Sequence, residues 1–159
     1  MTASIDNIDK VILKYVQEDA RINLEELAAK ANISKSAAQR RLQRLRASKI
    51  ILGDIAVIDP KTVGPWVTML VEVEFERDRP EFMGVFQKWI ATQDHIQQAW
   101  CITGRGDYTL VVMTPSIEDF DSFMERLLND NRYVRKFLTS VVLRTVKRSL
   151  TVPVSEHQQ

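Results

Sequence analysis

The period of the apolar residues changes once along this 159-residue chain, and that change limits what it can fold into. From Ile8 to Leu45 apolar side chains return every three or four positions, the spacing of helices with one buried face. From Val67 they alternate: Val67, Met69, Val71, Val73 and Phe75 fall on one side, Thr68, Glu72, Glu74 and Glu76 on the other. A period of two belongs to a half-buried strand. Between the two regimes, Gly53-Asp54-Ile55-Ala56-Val57-Ile58-Asp59-Pro60 reads as a hinge strand closed by Asp-Pro. The expected organisation is a helical domain at 1–52, a hinge strand and linker at 53–65, an α+β domain at 66–153 and a flexible polar tail at 154–159.

Within the helical part, Ile8, Val11, Ile12, Tyr15 and Val16 mark a first helix that ends near residues 18–21. Asn23 is placed to N-cap a second, short helix, with Glu26 three positions on and Leu27, Ala28 and Ala31 inward. Asn32 supplies a turn. Ser34 then N-caps a third helix whose buried stripe is Ala37, Ala38, Leu42 and Leu45. Three helices with a tight turn between the last two describe a helix-turn-helix in which the third helix reads DNA.

The charge pattern agrees with that reading. No acidic residue occurs between Leu27 and Gly53, whereas Lys30, Lys35, Arg40, Arg41, Arg44, Arg46 and Lys49 do. A basic run alone describes a solvated helix face; on the third helix of this motif it describes a surface for DNA phosphate. The candidate DNA contacts are Ser34, Lys35, Ser36, Gln39, Arg40, Arg41, Arg44, Arg46 and Lys49. Gln39 and Arg40 suit base edges, because glutamine pairs bidentately with adenine and arginine with guanine. Arg44, Arg46 and Lys49, nearer the helix exit, suit phosphates. The basic surface is local: residues 1–59 hold ten Lys or Arg against eight Asp or Glu, and residues 60–159 twelve against thirteen.

The second half continues from its first strand with a helix starting at Pro80 and carrying Phe82, Val85, Phe86, Trp89 and Ile90 inward. Ile96 to Thr103 reads as a strand, Gly104-Arg105-Gly106-Asp107 as a turn and Tyr108 to Met113 as another strand. Ser116 with Asp119 caps a helix bearing Ile117, Phe120, Phe123, Met124, Leu127 and Leu128, and Val134 to Val146 is the last strand. Strand, helix, strand, strand, helix, strand is the order of a ferredoxin-like domain, an antiparallel sheet with two helices on one face. The bare face, for which Val111, Val141 and Leu143 are available, calls for a partner, and a symmetric sheet-to-sheet homodimer supplies one. A dimer also pairs two reader helices for a two-fold symmetric DNA site.

Other classes find less support. No basic-then-apolar leader and no apolar run near eighteen residues occur, so a soluble cytoplasmic protein with no membrane partner is expected. Cys101, the only cysteine, sits in an apolar strand pattern and is expected as a buried thiol; His95 and His157 are expected at the surface. No metal spacing and no nucleophile with base and orienter emerges, so neither metal, cofactor nor enzyme activity is expected. RNA recognition on the sheet would need more exposed aromatics than Trp100 and Tyr108.

The residues also carry a resemblance. Ile5-Asp6-Asn7-Ile8-Asp9, Glu18-Asp19-Ala20-Arg21-Ile22, Leu27-Ala28, Ile33-Ser34, Arg40-Arg41-Leu42-Gln43-Arg44-Leu45, Gly53-Asp54-Ile55-Ala56 and Asp59-Pro60 form one set. Thr103-Gly104-Arg105-Gly106-Asp107-Tyr108, Thr139-Ser140-Val141-Val142-Leu143 and Val146-Lys147 form a second. In order and spacing, from Ile5 to Pro153, they resemble the Lrp/AsnC, or feast/famine, family of transcriptional regulators. The resemblance implies a winged-type helix-turn-helix joined by a hinge strand to a ferredoxin-like (RAM/ACT-like) domain, a dimer assembling to higher oligomers such as octamers, and an amino-acid effector at an inter-subunit seam. Carried onto this chain, the effector site comprises Thr103, Gly104, Arg105, Gly106 and Asp107, with Thr139, Ser140 and Val141. Backbone N–H groups of the glycine turn and the hydroxyls of Thr103 and Thr139 suit a carboxylate, and Asp107 suits an ammonium. A plain hairpin, with glycines for positive φ and Asp107 as its cap, is the alternative. A DNA-organising regulator with no amino-acid effector, or a small-molecule-sensing module, is the alternative function. This chain departs from the family's pattern at Arg46 and Lys49, where an acidic residue and a glycine are usual, at Asp54 in place of an aromatic, and at Arg105-Gly106 in place of an acidic residue and an aromatic.

Overall fold

The structure, a computed structural model, describes residues 4–76 and 81–154. The chain forms two compact units: the described residues through Val57 with those from Lys147 onward, and Ile58–Val146.

In the first unit, α1 (Asn7–Glu18) starts at Asp6, whose carboxylate accepts from the Asp9 N–H while Asp9 accepts in return from the Asp6 N–H. This reciprocal capping box satisfies two of the helix's orphan donors. α2 (Leu24–Lys30) is capped by Asn23 and α3 (Lys35–Ala47) by Ser34, as their side chains lead one to expect. Ile12, Val16, Leu27, Ala31, Leu42 and Leu45 form the core, joined at its margin by Ile8, Ile22, Ile33, Ile50 and Ile51. Each large aliphatic group so buried contributes about 1.5–3 kcal/mol.

Both α2 and α3 end in the same device. After α2, Asn32 takes φ 52° while its N–H and that of Ile33 donate to the carbonyls of Ala29 and Ala28. After α3, Lys49 takes φ 58° while its N–H and that of Ile50 donate to Arg46 and Leu45. These are Schellman caps, with asparagine and lysine where glycine is usual. The departure noted at Lys49 thus still closes α3 with this cap.

Gly53 to Asp59 contains no strand, contrary to the expected hinge strand, and Ile55, Val57 and Ile58 are exposed. Within one chain this stretch has no strand to pair with, and strand structure needs a ladder partner. The segment from Lys147, expected to close the sheet domain, lies instead against α1. The Gln17 amide donates to the Val152 carbonyl at 3.2 Å and accepts from the Val152 N–H at 2.7 Å.

In the second unit, Asp59 caps a short helix α4 (Pro60–Val63), followed by β1 (Val67–Phe75), α5 (Glu81–Ile90), β2 (Ile96–Cys101), β3 (Tyr108–Thr114), α6 (Ile117–Asp130) and β4 (Val134–Val141). Pro80, the expected start of α5, lies outside the described residues. The sheet order is β2-β3-β1-β4 with every pairing antiparallel, the ferredoxin-like arrangement. Met69, Val71, Val73, Phe75, Leu110 and Val112 pack against Phe86 of α5 and Phe123, Met124 and Leu127 of α6. β4 stops five residues short of the expected Val146, because Val141 already pairs with Met69 and β1 begins two residues before that. The Val142 N–H still donates to the Thr68 carbonyl at 2.9 Å, and beyond it the antiparallel partner has run out.

The open face carries Leu70, Trp100 and Leu138, all exposed, with half-buried Val111 and Met113. Of the three residues expected there, Val111 is opposite Leu70 and fits. Val141 pairs with buried Met69 and so shares the helix-covered side, and Leu143 lies past the strand.

Candidate DNA interface and effector turn

The α3 cap and stripe orient this helix so that Lys35, Ser36, Gln39, Arg40 and Gln43 are exposed. The Ser34 hydroxyl accepts from the Ala37 N–H and lies 3.1 Å from that of Ser36. Among the described residues Gln39 and Arg40 hold no ion pair or side-chain hydrogen bond. Both extend from the N-terminal half of the helix into solvent. Lys35 pairs with Glu25 at 2.6 Å, but at 59% and 76% side-chain exposure the pair is screened and open to exchange for a phosphate. The Lys35 hydrogen bond and charge hold the Glu25 carboxyl below its usual range.

The remaining arginines of the expected set are engaged within the chain, Arg44 and Arg46 while still exposed. Arg41 reaches Asp6 at 2.7 Å and Asp9 at 2.8 Å, Arg44 binds the other oxygen of Asp9, and Arg46 pairs with Asp54 at 2.8 Å. Asp9 is fully buried. The Arg41 guanidinium is held above its ordinary value by its hydrogen bonds to Asp6 and Asp9. The Asp6 carboxyl is held below its own value, first by the Asp9 N–H and then by Arg41, against some desolvation. Arg41, Arg44 and Arg46, expected at DNA phosphates, thus each hold a carboxylate of this chain. Arg46 and Asp54 are two of the family departures, and they answer each other as an ion pair. Asp6 and Asp9 were not among the expected functional residues. Their signal was present, as Asp-x-x-Asp directly before an apolar-periodic run is a capping-box pattern.

At the turn between β2 and β3, Thr103, Gly104 and Arg105 are exposed and Gly104 has φ 139°. Gly106 has a steric reason to lack a side chain: a Cβ there would lie 3.1 Å from the Val73 carbonyl oxygen. The Asp107 N–H donates to that same oxygen at 2.8 Å, and the Asp107 carboxylate accepts from the Phe75 N–H at 2.7 Å. The β1–β3 pairing ends at Val73 and Tyr108, so Asp107 supplies an acceptor to β1 just past the end of that ladder. On the other flank of β1, Thr139 pairs with Val71, and Ser140 and Val141 are exposed. β1 thus separates the two groups of expected effector residues within one chain. The Thr139 hydroxyl is shielded from solvent and has no hydrogen-bond partner among the described residues. An orphaned buried hydroxyl costs about 1–3 kcal/mol.

Two residues set aside in the sequence are placed otherwise than expected. Cys101 is exposed, at the end of edge strand β2, rather than buried. His95 is half-buried, its ring nitrogen 3.1 Å from the Met113 carbonyl and its ring edge-on to Phe123, because the α5–β2 connection folds back onto β3. No described helix is long and apolar enough to cross a membrane.

Comparison with known proteins covers both units. Residues 5–46 match the AsnC-type helix-turn-helix domain and residues 68–152 the Lrp/AsnC ligand binding domain. An HTH-type transcriptional regulator of Sinorhizobium fredii is 35% identical over 150 residues, covering 94% of this chain and 89% of the relative. The crystal structure of an AsnC family transcriptional regulator from Agrobacterium tumefaciens superposes with a TM-score of 0.85 at 25% identity, covering 94% of this chain and 97% of the other. A transcriptional regulator from Neisseria meningitidis, solved in complex with L-methionine, has the same fold (TM-score 0.84, 23% identity, 94% and 97% covered).

Proposed function

This chain belongs to the Lrp/AsnC family of transcriptional regulators, and we propose that it is a sequence-specific DNA-binding regulator whose DNA affinity answers to an amino acid or related small metabolite. The observation that carries the DNA half is Gln39 and Arg40, exposed and without a partner among the described residues, on a helix with no acidic residue. In this reading Gln39 and Arg40 meet base edges, and Lys35, Ser36 and Lys49 meet phosphates, with Ser34 setting the helix start. A homodimer presents two such helices to a two-fold site, and higher oligomers such as octamers array them. Binding to the DNA upstream of its own gene at stated salt tests this; alanine at Gln39 and Arg40 together lowers discrimination between that DNA and a scrambled duplex.

The effector half rests on the Thr139 hydroxyl, a buried polar atom that a ligand's carboxylate or ammonium would satisfy. Thr103, Gly104 and Arg105 are the exposed side of the neighbouring turn, and Gly106 and Asp107 serve it by fixing the turn to β1. β1 separates the turn from Thr139, Ser140 and Val141 within one chain, and a seam between two subunits would bring both kinds of group to one ligand. Arg105, where the family has an acidic residue, selects an effector bulkier or more acidic than a small aliphatic amino acid. Titration calorimetry against the amino acids should find such a ligand, bound more weakly after Arg105→Ala; undiminished binding of neutral aliphatic amino acids removes this selectivity. The commitment of Gly106 and Asp107 to β1 favours a second reading, a DNA-organising regulator with no amino-acid effector. Full DNA binding with no response to any amino acid would select it.

A further inference from the structure

Asp9 is the one buried acidic residue among the described residues, and it is buried at the junction of α1 and α3. Its two carboxylate oxygens are divided between two guanidinium groups of α3: Oδ1 accepts from Arg41 and Oδ2 from Arg44. Oδ2 also accepts from the Asp6 N–H at 3.2 Å, and Arg41 is shared with the Asp6 carboxylate. The carboxylate is therefore fixed from three directions by the capping box of one helix and two arginines of another. Arg41, 23% exposed, lies beside the apolar stripe of Leu42 and Leu45, whereas Arg44, 45% exposed, lies one turn on from Arg40 and reaches back from that outer side to Asp9. Loss of both guanidiniums would leave the Asp9 charge unpaired in a fully buried position, the costly way to break a buried pair.

We infer that Asp9 is the positioning residue of the reader helix: it holds Arg41 and Arg44 against α1, so that these two cations orient α3 for DNA and do not themselves neutralise phosphates. The inference rests on the reading of α3 as a DNA-reading helix. It gives the most basic part of the sequence two tasks, an Asp9-bound pair that sets direction and a set not bound to Asp9 that touches the ligand. It also makes Asp9 a determinant of specificity although it lies outside the interface. Released arginines would bind any phosphate, strengthening sequence-independent attraction while loosening the register of Gln39 and Arg40.

The test is the salt dependence of DNA binding by the full chain, measured on the DNA upstream of its gene and on a scrambled duplex. Thermal unfolding of each variant checks that it is folded. Each phosphate contact contributes about 0.9 to the slope of log K against log salt concentration. Arg41→Gln and Arg44→Gln are expected to leave that slope unchanged and to lower the preference for the upstream DNA about tenfold, while Arg44→Lys retains most of the preference. Asp9→Asn is expected to steepen the slope by as much as about 1.8, for two released cations, with the preference reduced. A merely structural residue would not steepen it. Slopes that fall by about 0.9 in each arginine variant would overturn the inference, because both would then be phosphate contacts. A preference unchanged in both glutamine variants would overturn it equally, and this pair carries the test where Asp9→Asn does not fold. Absence of any binding by the unaltered chain would instead remove the DNA reading of α3, a separate failure.

Discussion

Lys49 holds a left-handed backbone conformation at the exit of α3, a place where a Cβ costs about 1–2 kcal/mol and glycine costs little. Lys49→Gly is therefore expected to raise the unfolding free energy by about 1 kcal/mol, read as a higher thermal midpoint. Lys49→Leu should not raise it. At the other end of the same unit, Asp6 caps α1, and Asp6→Ala should cost about 1 kcal/mol for the lost cap. Its folded-state carboxyl lies below its ordinary value, so the stabilisation is complete above that ordinary value and is lost as pH falls through the lowered one. Acid unfolding followed by circular dichroism should show this loss in the unaltered protein and less of it in Asp6→Asn. Gly106→Ala places a Cβ against the Val73 carbonyl and should cost about 1–3 kcal/mol, measured in the same way. Single residues were the least legible scale in the sequence where long-range partners decide. Ser34 and Asn23 announced themselves as caps because a cap is local. That Arg41 and Arg44 bind Asp9 depends on how α1 and α3 pack, and a charged residue's spacing does not carry that.

The elements were legible to the extent that their period reflects one buried face. All three helices of the first unit and the four strands of the second lie where periodicity placed them, since burial of residues such as Ile12, Leu45, Val71 and Phe123 both creates the pattern and holds the fold. Leu45→Ala is accordingly expected to destabilise the helical unit by about 2–5 kcal/mol in denaturant unfolding. Strand ends and the hinge were not legible, because apolar content alone does not reveal whether a partner strand is available. Leu143 to Val146 follows the last hydrogen bond of β4 to β1, and Ile55 to Ile58 has strand composition without a ladder. The contact of Gln17 with Val152 had no local signal at all, its partners being 135 positions apart. Gln17→Ala should speed exchange of the Val152 amide hydrogen while leaving that of the α1 interior unchanged, a difference that hydrogen-exchange mass spectrometry resolves.

For the whole molecule, a helix-turn-helix unit and a ligand-binding unit in one chain make regulation a matter of linkage. An effector alters DNA affinity only by as much as its own affinity differs between the DNA-competent and other states of the assembly. In the proposed homodimer, the exposed Leu70, Trp100 and Leu138 on the open sheet face, and Ile55 and Val57 in the linker, would be surfaces for contact between copies. The central claim is that the outer face of α3 reads a sequence. It is tested most directly by competing the DNA upstream of the gene against a scrambled duplex for the purified protein, at fixed salt, by fluorescence anisotropy. The account predicts a preference of about a thousandfold or more for the upstream DNA, falling steeply with Gln39 and Arg40 both changed to alanine. Equal affinity for the two duplexes, unaffected by those changes, would contradict it.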